Sequence, residues 1–513
     1  MTPPARAPEG RSGRGLRLDD LAREIPGGAA IRGEADVIVS GVRHDSRAVE
    51  PGDLFVVRKG RTEDGARYVA DAIARGASAV MAARGVLEGT AGFVPLLVVG
   101  DAQTALAHAA SAVYGHPSFS LEVVGITGTN GKTTTAHLVR AAIDGALGQA
   151  SCGIIGTVGH SFGGWRTPAE HTTPEADDVA RAMDAMRARG ASHVAMEVSS
   201  HGLELGRVVA VRFRVAALTN LSQDHLDFHG SMQAYAAAKA RLFGELGPGS
   251  SVINVDAAFG RELLPAIRSP LIRVSATVGA DADVVPLEAT IDARGVSARL
   301  RTPQGEVSVV SRLVGAHNLE NIVLALGVVH ALELPLPEAA QALSRETGAP
   351  GRLERCDGPG DDVTVLVDYA HTPDALTRAL EAVRSATRGR VWCVFGCGGD
   401  RDATKRGPMG AAAAGGADVV IVASDNPRTE DPAVIAAAVV AGVRAAGKEP
   451  VVQLDRRKAI DYAVRSASQG DLVLLAGKGH EDYQIVGTVK HALDDRTEAA
   501  LALAARRRAR GAS

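Results

Sequence analysis

Residues Gly128-Thr129-Asn130-Gly131-Lys132-Thr133-Thr134 follow directly on an apolar run at 121–127. A glycine turn between a buried strand and a helix aims backbone N–H groups and a helix N-terminus at one point, which suits phosphate oxygens. Lys132 adds a positive charge for the outer phosphates, and the Thr133 hydroxyl can ligate magnesium. The loop is shorter than the ordinary P-loop, whose first glycine would stand where Ile126 lies. The chain is expected to bind a nucleoside triphosphate here. Further on, Glu197 closes the apolar run that starts at Val194, and a carboxylate at such a strand end, in the sheet of the phosphate loop, is placed to ligate magnesium. The turn Asp224-His225-Leu226-Asp227-Phe228-His229 is dense in His and Asp, which makes His225 a candidate ligand. Lys239 follows on a helix and, taken alone, reads as a solvated lysine.

Groups of this kind need rigid elements behind them. At 513 residues the chain is too long for one core and calls for three domains. Apolar residues make up 46% and aromatics 3%, so the cores must be built from Ala, Val, Leu and Ile, which suits α/β layers with buried parallel strands. A Pro/Gly/Arg-rich tail over residues 1–17 precedes a smaller N-terminal α/β domain over 18–117, with strand-like runs at 37–42, 54–57, 79–81 and 96–99 and helical stretches at 65–75 and 101–114. The middle, 118–347, alternates strand and helix: strands at 121–127, 152–155, 193–198, 215–218 and 251–255, with helices at 132–148, 176–189, 231–243 and 317–332. That pattern gives a central P-loop-type, mostly parallel sheet with helices on both faces. The last part, 348–513, alternates again, with strands at 363–367, 390–395, 419–423 and 472–476, each followed by a glycine-rich or polar loop. Ligands collect at the carboxyl ends of strands in open α/β sheets, so this Rossmann-like domain should also carry a site.

A formal charge of −3 gives no electrostatic footprint for nucleic acid. The four cysteines are few and scattered, as in a reducing cytosol, and Cys393 with Cys397 lacks a second pair to complete a zinc site. No apolar run is long enough to span a membrane and no secretion signal opens the chain, so a cytoplasmic enzyme without membrane insertion is expected. Nothing in the sequence calls for an obligate protein partner.

The motifs Gly128 to Thr133, Glu197-Val198-Ser199-Ser200-His201, Asp224 to Gly230, Gly315-x-His317-Asn318-x-x-Asn321 and Asp368-Tyr369-Ala370-His371-Thr372-Pro373 resemble, in this order, those of the Mur ligases. These are the ATP-dependent amide-forming enzymes of peptidoglycan precursor synthesis. The resemblance runs over about residues 40–500, and the family uses the shorter phosphate loop. No Gly-x-Gly-x-x-Gly turn precedes residue 115, whereas Asp45-Ser46-Arg47 and Pro51-Gly52-Asp53-Leu54-Phe55 resemble the uridine-binding start of members acting later in the pathway. Asp425-Asn426-Pro427-Arg428 resembles the signature of the form that adds meso-diaminopimelate, with the D-glutamate side-chain carboxylate of the UDP-muramoyl dipeptide as the other partner.

The resemblance implies a role for each matching residue. Gly128, Thr129, Asn130, Gly131, Lys132, Thr133, Thr134, Asn318, Arg352 and Asp368 would hold ATP. His44, Ser46, His171, Thr172, Thr173, Ser199 and Arg207 would hold the UDP-muramoyl dipeptide, with Arg61, Thr62 and Glu63 nearby in a loop that departs from relatives. Arg401, Asp425, Asn426, Pro427, Arg428, Gly477 and Glu481 would hold diaminopimelate. Lys132, Glu197, His225 and Lys239 would be catalytic, with Thr133, Glu197, His225 and a CO₂-derived carbamate on Lys239 around Mg²⁺. An ammonium would be repelled by magnesium, whereas a carbamate can orient or ligate it. The same chemistry with L-lysine as acceptor stays open, although Arg428 would then face no distal carboxylate. A nucleotide-dependent switch that makes no amide is the third reading.

Overall fold

Short apolar runs such as those ending at Thr127 and Ala476 are satisfied only where both faces of a strand are covered, and each becomes a central strand of a largely parallel sheet. The computed structural model describes residues 15–58, 64–87 and 94–511. The chain divides into two compact units. One comprises the chain up to Ser275 with Ala282–Val284 and Leu324–Ala339; the other comprises Ala276–Asp281, Val285–Val323 and the chain from Ala340. Arg61, Thr62 and Glu63 lie outside the described residues, as does most of the 1–17 tail. Leu16–Arg17, within that expected tail, pair with Ile38–Val39 as a short antiparallel ladder.

The first unit holds two large sheets. A five-stranded sheet runs in the order Ala30–Arg32, Leu96–Val99, Ala79–Ala83, Asp53–Val56, Gly41–Arg43, parallel except at its first pair. The helix Ala102–Val113, capped by the Asp101 carboxylate on two backbone N–H groups, covers one face. An eight-stranded sheet runs Trp165–Thr167, Gly159–Phe162, Cys152–Gly156, His193–Glu197, Glu122–Thr127, Val215–Leu218, Ser250–Asn254, Leu271–Val274. Its first two strands form an antiparallel extension absent from the sequence reading, and the rest are parallel. Register aligns Glu197 with Ile126 and Leu218 with Thr127, so the loops that leave these three strands start side by side. The helix Ala176–Arg187 serves both layers. Ala176 and Ala180 join the core of the five-stranded sheet, while Val179, Ala182, Met183 and Met186 join that of the eight-stranded one.

The second unit contains a three-stranded antiparallel sheet, Val285–Asp292, Gly295–Thr302 and Gly305–Ser311, which the sequence reading missed. Its signal was the period-2 burial along Gly295–Thr302, with Val296, Ala298 and Leu300 turned inward. A six-stranded sheet follows in the order Glu354–Arg355, Thr364–Asp368, Leu472–Ala476, Val391–Phe395, Val419–Val422, Val451–Val452. Alternate residues separate into two cores: Leu366, Leu474 and Cys393 meet the helices Pro373–Ala386, Arg406–Gly416 and Pro432–Ala445, while Val365, Val473 and Val394 meet Arg456–Ser466 and Asp495–Gly511. This is the doubly wound arrangement expected of a Rossmann-like layer. Between the last two helices lies a fully buried ion pair, with Arg456 Nη2 2.6 Å from Asp495 Oδ2 and also donating to the Ala476 carbonyl at 2.9 Å. Cys393 and Cys397 are free thiols within the apolar core. Among the described residues no helix is long and apolar enough to cross a membrane.

Candidate active site

Gly128 leaves its strand with φ 146°, and Gly131, at φ 85°, caps the helix Lys132–Leu147. Neither conformation suits a side chain. At Gly128 a Cβ would also stand 1.9 Å from Thr219 Oγ1. The loop is stitched to the neighbouring strand end: Thr129 N donates to Asn220 O and Asn130 N to Asn220 Oδ1, each at 3.0 Å, and Thr219 Oγ1 donates to Asn130 O at 2.6 Å. Lys132 Nζ folds back onto the carbonyls of Gly128 and Thr129, both at 2.9 Å. Thr133 Oγ1 donates to Glu197 Oε2 at 2.8 Å, and Thr134 is buried in the first helical turn. Glu197 is 1% exposed and also accepts from Thr157 N at 2.8 Å and Thr157 Oγ1 at 3.2 Å. Gly156 makes room for it, since a Cβ there would stand 2.2 Å from Glu197 Oε1. The structure thus gathers the carboxylate and two threonine hydroxyls beside the helix that opens at Lys132.

Lys239 is not solvated. It is 1% exposed, donates from Nζ to the Gly128 carbonyl at 2.8 Å and lies 4.4 Å from the centre of the Tyr235 ring. Burial, with the neighbouring Lys132 charge, holds its ammonium well below the usual lysine range. Tyr235 links this lysine to the loop, its hydroxyl 3.1 Å from Thr129 Oγ1. His225 begins a short helix with φ 52° and leaves nearly half of its side chain in solvent. Its ring stands edge-on to His201 with centroids 4.8 Å apart and is 6.1 Å from Tyr235. His225 therefore borders the Lys239–Tyr235 corner; its ring meets these aromatic groups and lies 3.6 Å from Asp224 Oδ2, while Thr133 and Thr157 are the side chains bonded to the Glu197 carboxylate.

On the other flank of Glu197, Thr173 Oγ1 lies 2.9 Å from the Glu197 carbonyl and accepts from Ser199 N at 2.8 Å, and Thr172 Oγ1 lies 3.0 Å from Thr157 Oγ1. Arg207 Nη1 donates to the Thr173 carbonyl at 2.8 Å. The Glu175 carboxylate bridges two arginines, with Oε1 2.6 Å from Arg207 Nη2 and Oε2 2.6 Å from Arg58 Nη1. Both guanidinium groups keep it below the usual carboxylate range despite burial. His44 Nδ1 is held by Asp177 at 2.8 Å, and burial with the Asp177 charge pushes Asp178 up. Ser46 is buried in the adjoining turn, while His171 is exposed. Six of the seven residues expected around the nucleotide dipeptide thus join this hydrogen-bonded junction or border it, and His171 stays in solvent.

In the second unit the ends of Thr364–Asp368, Leu472–Ala476, Val391–Phe395 and Val419–Val422 adjoin. Asp368 accepts from Leu353 N and Ala370 N, both at 2.8 Å, and burial pushes its carboxyl up. Arg352 lies 5.2 Å over the Tyr369 ring, with its buried Nε unbonded among the described residues. The Asn318 amide is spent locally, donating to Val314 O at 2.8 Å and accepting from Asn321 Nδ2 at 3.1 Å. A cavity of about 460 Å³ is lined by Arg401, Asp425, Asn426, Arg428, Gly477 and Glu481. Asn426 Nδ2 donates to Glu481 Oε2 at 3.0 Å, and Lys478, fully buried, lies 3.2 Å from the same oxygen. Arg428, at φ 52°, is braced by the hairpin Tyr483–Val486 and Val489–Ala492: its N–H donates to Ile485 O at 3.1 Å and Gly487 N donates to its carbonyl at 2.7 Å.

Residues 126–329 match the Mur ligase middle domain, 351–479 the Mur ligase glutamate ligase domain, and 38–114 the Mur ligase family catalytic domain. The UDP-N-acetylmuramoyl-L-alanyl-D-glutamate--2,6-diaminopimelate ligase of Gloeobacter violaceus is 44% identical over 497 residues, covering 97% of this chain and 99% of the relative. The chain belongs to the Mur ligase family. A relative of the same name from Pseudomonas aeruginosa is 46% identical, over 92% of this chain and 96% of its own. A solved structure, also named as this ligase, superposes with a TM-score of 0.70 at 33% identity and covers 96% of this chain and 99% of that one. A folylpolyglutamate synthase of Mycobacterium tuberculosis, at 23% identity and a TM-score of 0.57 over 72% of this chain and 91% of its own, shares the fold.

Within this Mur ligase the sequence reading did not single out Thr157, Tyr235, Glu175 or Lys478, each of which bonds to or packs against an expected site residue, or Arg58, which pairs with Glu175. The glycine requirement at 128 gives a direct test. Gly128→Ala forces a side chain against Thr219 and into a disfavoured φ, a strain of about 1–3 kcal/mol that lowers affinity roughly 5- to 150-fold if the loop relaxes away from its binding shape. Titration calorimetry with a non-hydrolysable ATP analogue should show that loss, and wild-type affinity in the variant would exclude this loop as the phosphate cradle.

Proposed function

We propose that this Mur ligase uses ATP to join meso-diaminopimelate to the D-glutamate side-chain carboxylate of UDP-N-acetylmuramoyl-L-alanyl-D-glutamate, in cytoplasmic synthesis of peptidoglycan precursors. The observation that carries the reading is the single cavity lined by Arg401, Asp425, Asn426, Arg428, Gly477 and Glu481, in a chain 44% identical to a relative of that name. A lining that mixes cations (Arg401, Lys405, Arg428) with carboxylates (Asp402, Asp425, Glu481) suits a small acceptor that itself carries ammonium and carboxylate groups at both ends. L-Lysine in the same cavity would leave Arg428 without an anionic partner. The four free thiols fit a reducing compartment.

The reaction must bring a carboxylate against a triphosphate, anion against anion. Lys132 and the N–H groups of the helix that follows Gly131 offset that repulsion at the phosphates. A carboxylate oxygen takes the γ-phosphoryl group as ADP leaves; the acceptor amine then attacks the acyl carbon and phosphate departs. The hard oxygen donors of Thr133 and Glu197, gathered within 2.8 Å where Gly156 leaves space, fit magnesium, with His225 at the border. When bound, the ion would supply charge neutralisation at the phosphates. The depressed basicity of Lys239 leaves an amine free to add to CO₂, releasing a proton and leaving a carbamate. Thr172, Thr173, Ser199 and Arg207 would hold the nucleotide dipeptide, with its carboxylate toward Glu197's end of the sheet.

Purified protein supplied with ATP, magnesium, the UDP-muramoyl dipeptide and each amino acid in turn should release one ADP per amide, and only with both substrates present. Brisk ATP turnover without them would favour the switch. Lys239→Ala should keep its fold and nucleotide binding while losing most activity, and formate should restore part of it by filling the vacated space; full activity at low and high CO₂ alike would remove the carbamate. Arg428→Ala should weaken diaminopimelate by about 30-fold or more, the cost of stripping one partner from a desolvated charge pair, and leave the Michaelis constants for ATP and the nucleotide near wild type. A wild type that prefers L-lysine, or unchanged diaminopimelate kinetics in the variant, would refute the role of Arg428.

A further inference from the structure

Two loops frame the acceptor cavity, one carrying Arg401 and the other Arg428. Each contains a non-glycine residue in the left-handed region, Asp400 and Arg428, both at φ 52°. Such backbone is disfavoured for a residue with a side chain and persists only where the surroundings enforce it. Here each loop caps the other with a carboxylate. Asp400 accepts from Thr429 N at 3.1 Å and lies 2.8 Å from Thr429 Oγ1, while Glu430 accepts from Asp400 N at 2.6 Å. Glu430 is anchored in turn by Arg406 Nη2 at 2.8 Å, and Arg406 is 5% exposed. Gly399 N donates to Asn426 O at 2.9 Å and Arg428 Nη1 to Gly399 O at 2.7 Å. Gly399 is required for this approach, because a Cβ would stand 1.9 Å from Pro427 O.

We propose that Asp400, acting through Thr429, is a specificity-determining positioning residue for the acceptor: the crossed clasp fixes where the Arg428 guanidinium stands. This rests on the function proposed above. The Asp400 carboxylate is engaged by Thr429; released, it would become a mobile anion beside Arg428 and compete with the acceptor's distal carboxylate for the guanidinium. The hydrogen bonds from Thr429 and the nearby Arg428 charge keep Asp400 ionised, below the usual carboxylate range.

The test is a double-mutant cycle on the intact enzyme, with Asp400→Asn, Thr429→Val and each combined with Arg428→Ala, read as kcat/KM for meso-diaminopimelate. Each single change should lower kcat/KM about tenfold through KM, with kcat, the KM values for ATP and nucleotide and the melting temperature close to wild type. In the Arg428→Ala background either change should cost less than about twofold, since the side chain it positions is gone. Equal losses in both backgrounds, wild-type KM in the singles, or a fall in kcat and melting temperature together would overturn the proposal. A wild-type enzyme that makes no diaminopimelate-dependent ADP would instead fail the underlying reading.

Discussion

Two lysine side chains converge on one peptide carbonyl. Lys132 and Lys239 each place Nζ within 2.9 Å of Gly128 O, and two ammonium groups on one acceptor repel each other. The conflict falls on Lys239, which is buried behind the loop with Tyr235 on one side, whereas Lys132 is only partly buried. Burial and the neighbouring Lys132 charge therefore lower the basicity of Lys239. The surrounding bonds serve to hold Gly128 in place: its own glycine backbone, the Thr219 hydroxyl packed where a Cβ would be, and Asn220 on the loop amides. A parallel sheet makes this possible because adjacent strands deliver their loops to one edge in register.

The acceptor end follows a different rule. Its strand order inserts Leu472–Ala476 between Thr364–Asp368 and Val391–Phe395, so residues far apart in sequence share one edge. Gly477 then sits where a Cβ would stand 2.8 Å from Asp425 Oδ2. The pocket is made of charged side chains held by one another instead of by a loop around a backbone carbonyl. Buried Lys478 lies between Asp425, at 3.8 Å, and Glu481, at 3.2 Å, which offsets the cost of placing two carboxylates in one small space.

What could be read directly in the sequence was contiguous. The phosphate loop, the strand ending in Glu197 and the central parallel strands of the eight- and six-stranded sheets announce themselves through apolar runs followed by polar turns and formed near their expected places, whereas the short edge strands Leu271–Val274 and Val451–Val452 were not foreseen. Position relative to distant residues was not legible. Glu175 and Arg58 lie 117 residues apart and meet only because two sheets share a helix. Lys239 taken alone read as solvated, the family resemblance gave it a role, and only the fold shows the carbonyl and ring that bury it. The antiparallel sheet at 285–311 escaped because its inward residues alternate with Arg, Ser and Glu, which lowers the apolar density that marked the other strands.

The helix Ala176–Arg187 gives one face to each of two sheets, and Arg187 at its far end reaches the carbonyls of Tyr114 and Gly115 at 3.1 Å. The chain crosses between the two sheets at about residue 117, a natural place to imagine a cut. A fragment ending there would expose the surface that received Ala176 and Ala180, and the remainder would keep a helix with one side stripped of its partner. The two layers should therefore melt as one cooperative unit, and neither is a module that evolution or an engineer can trade without carrying that helix along.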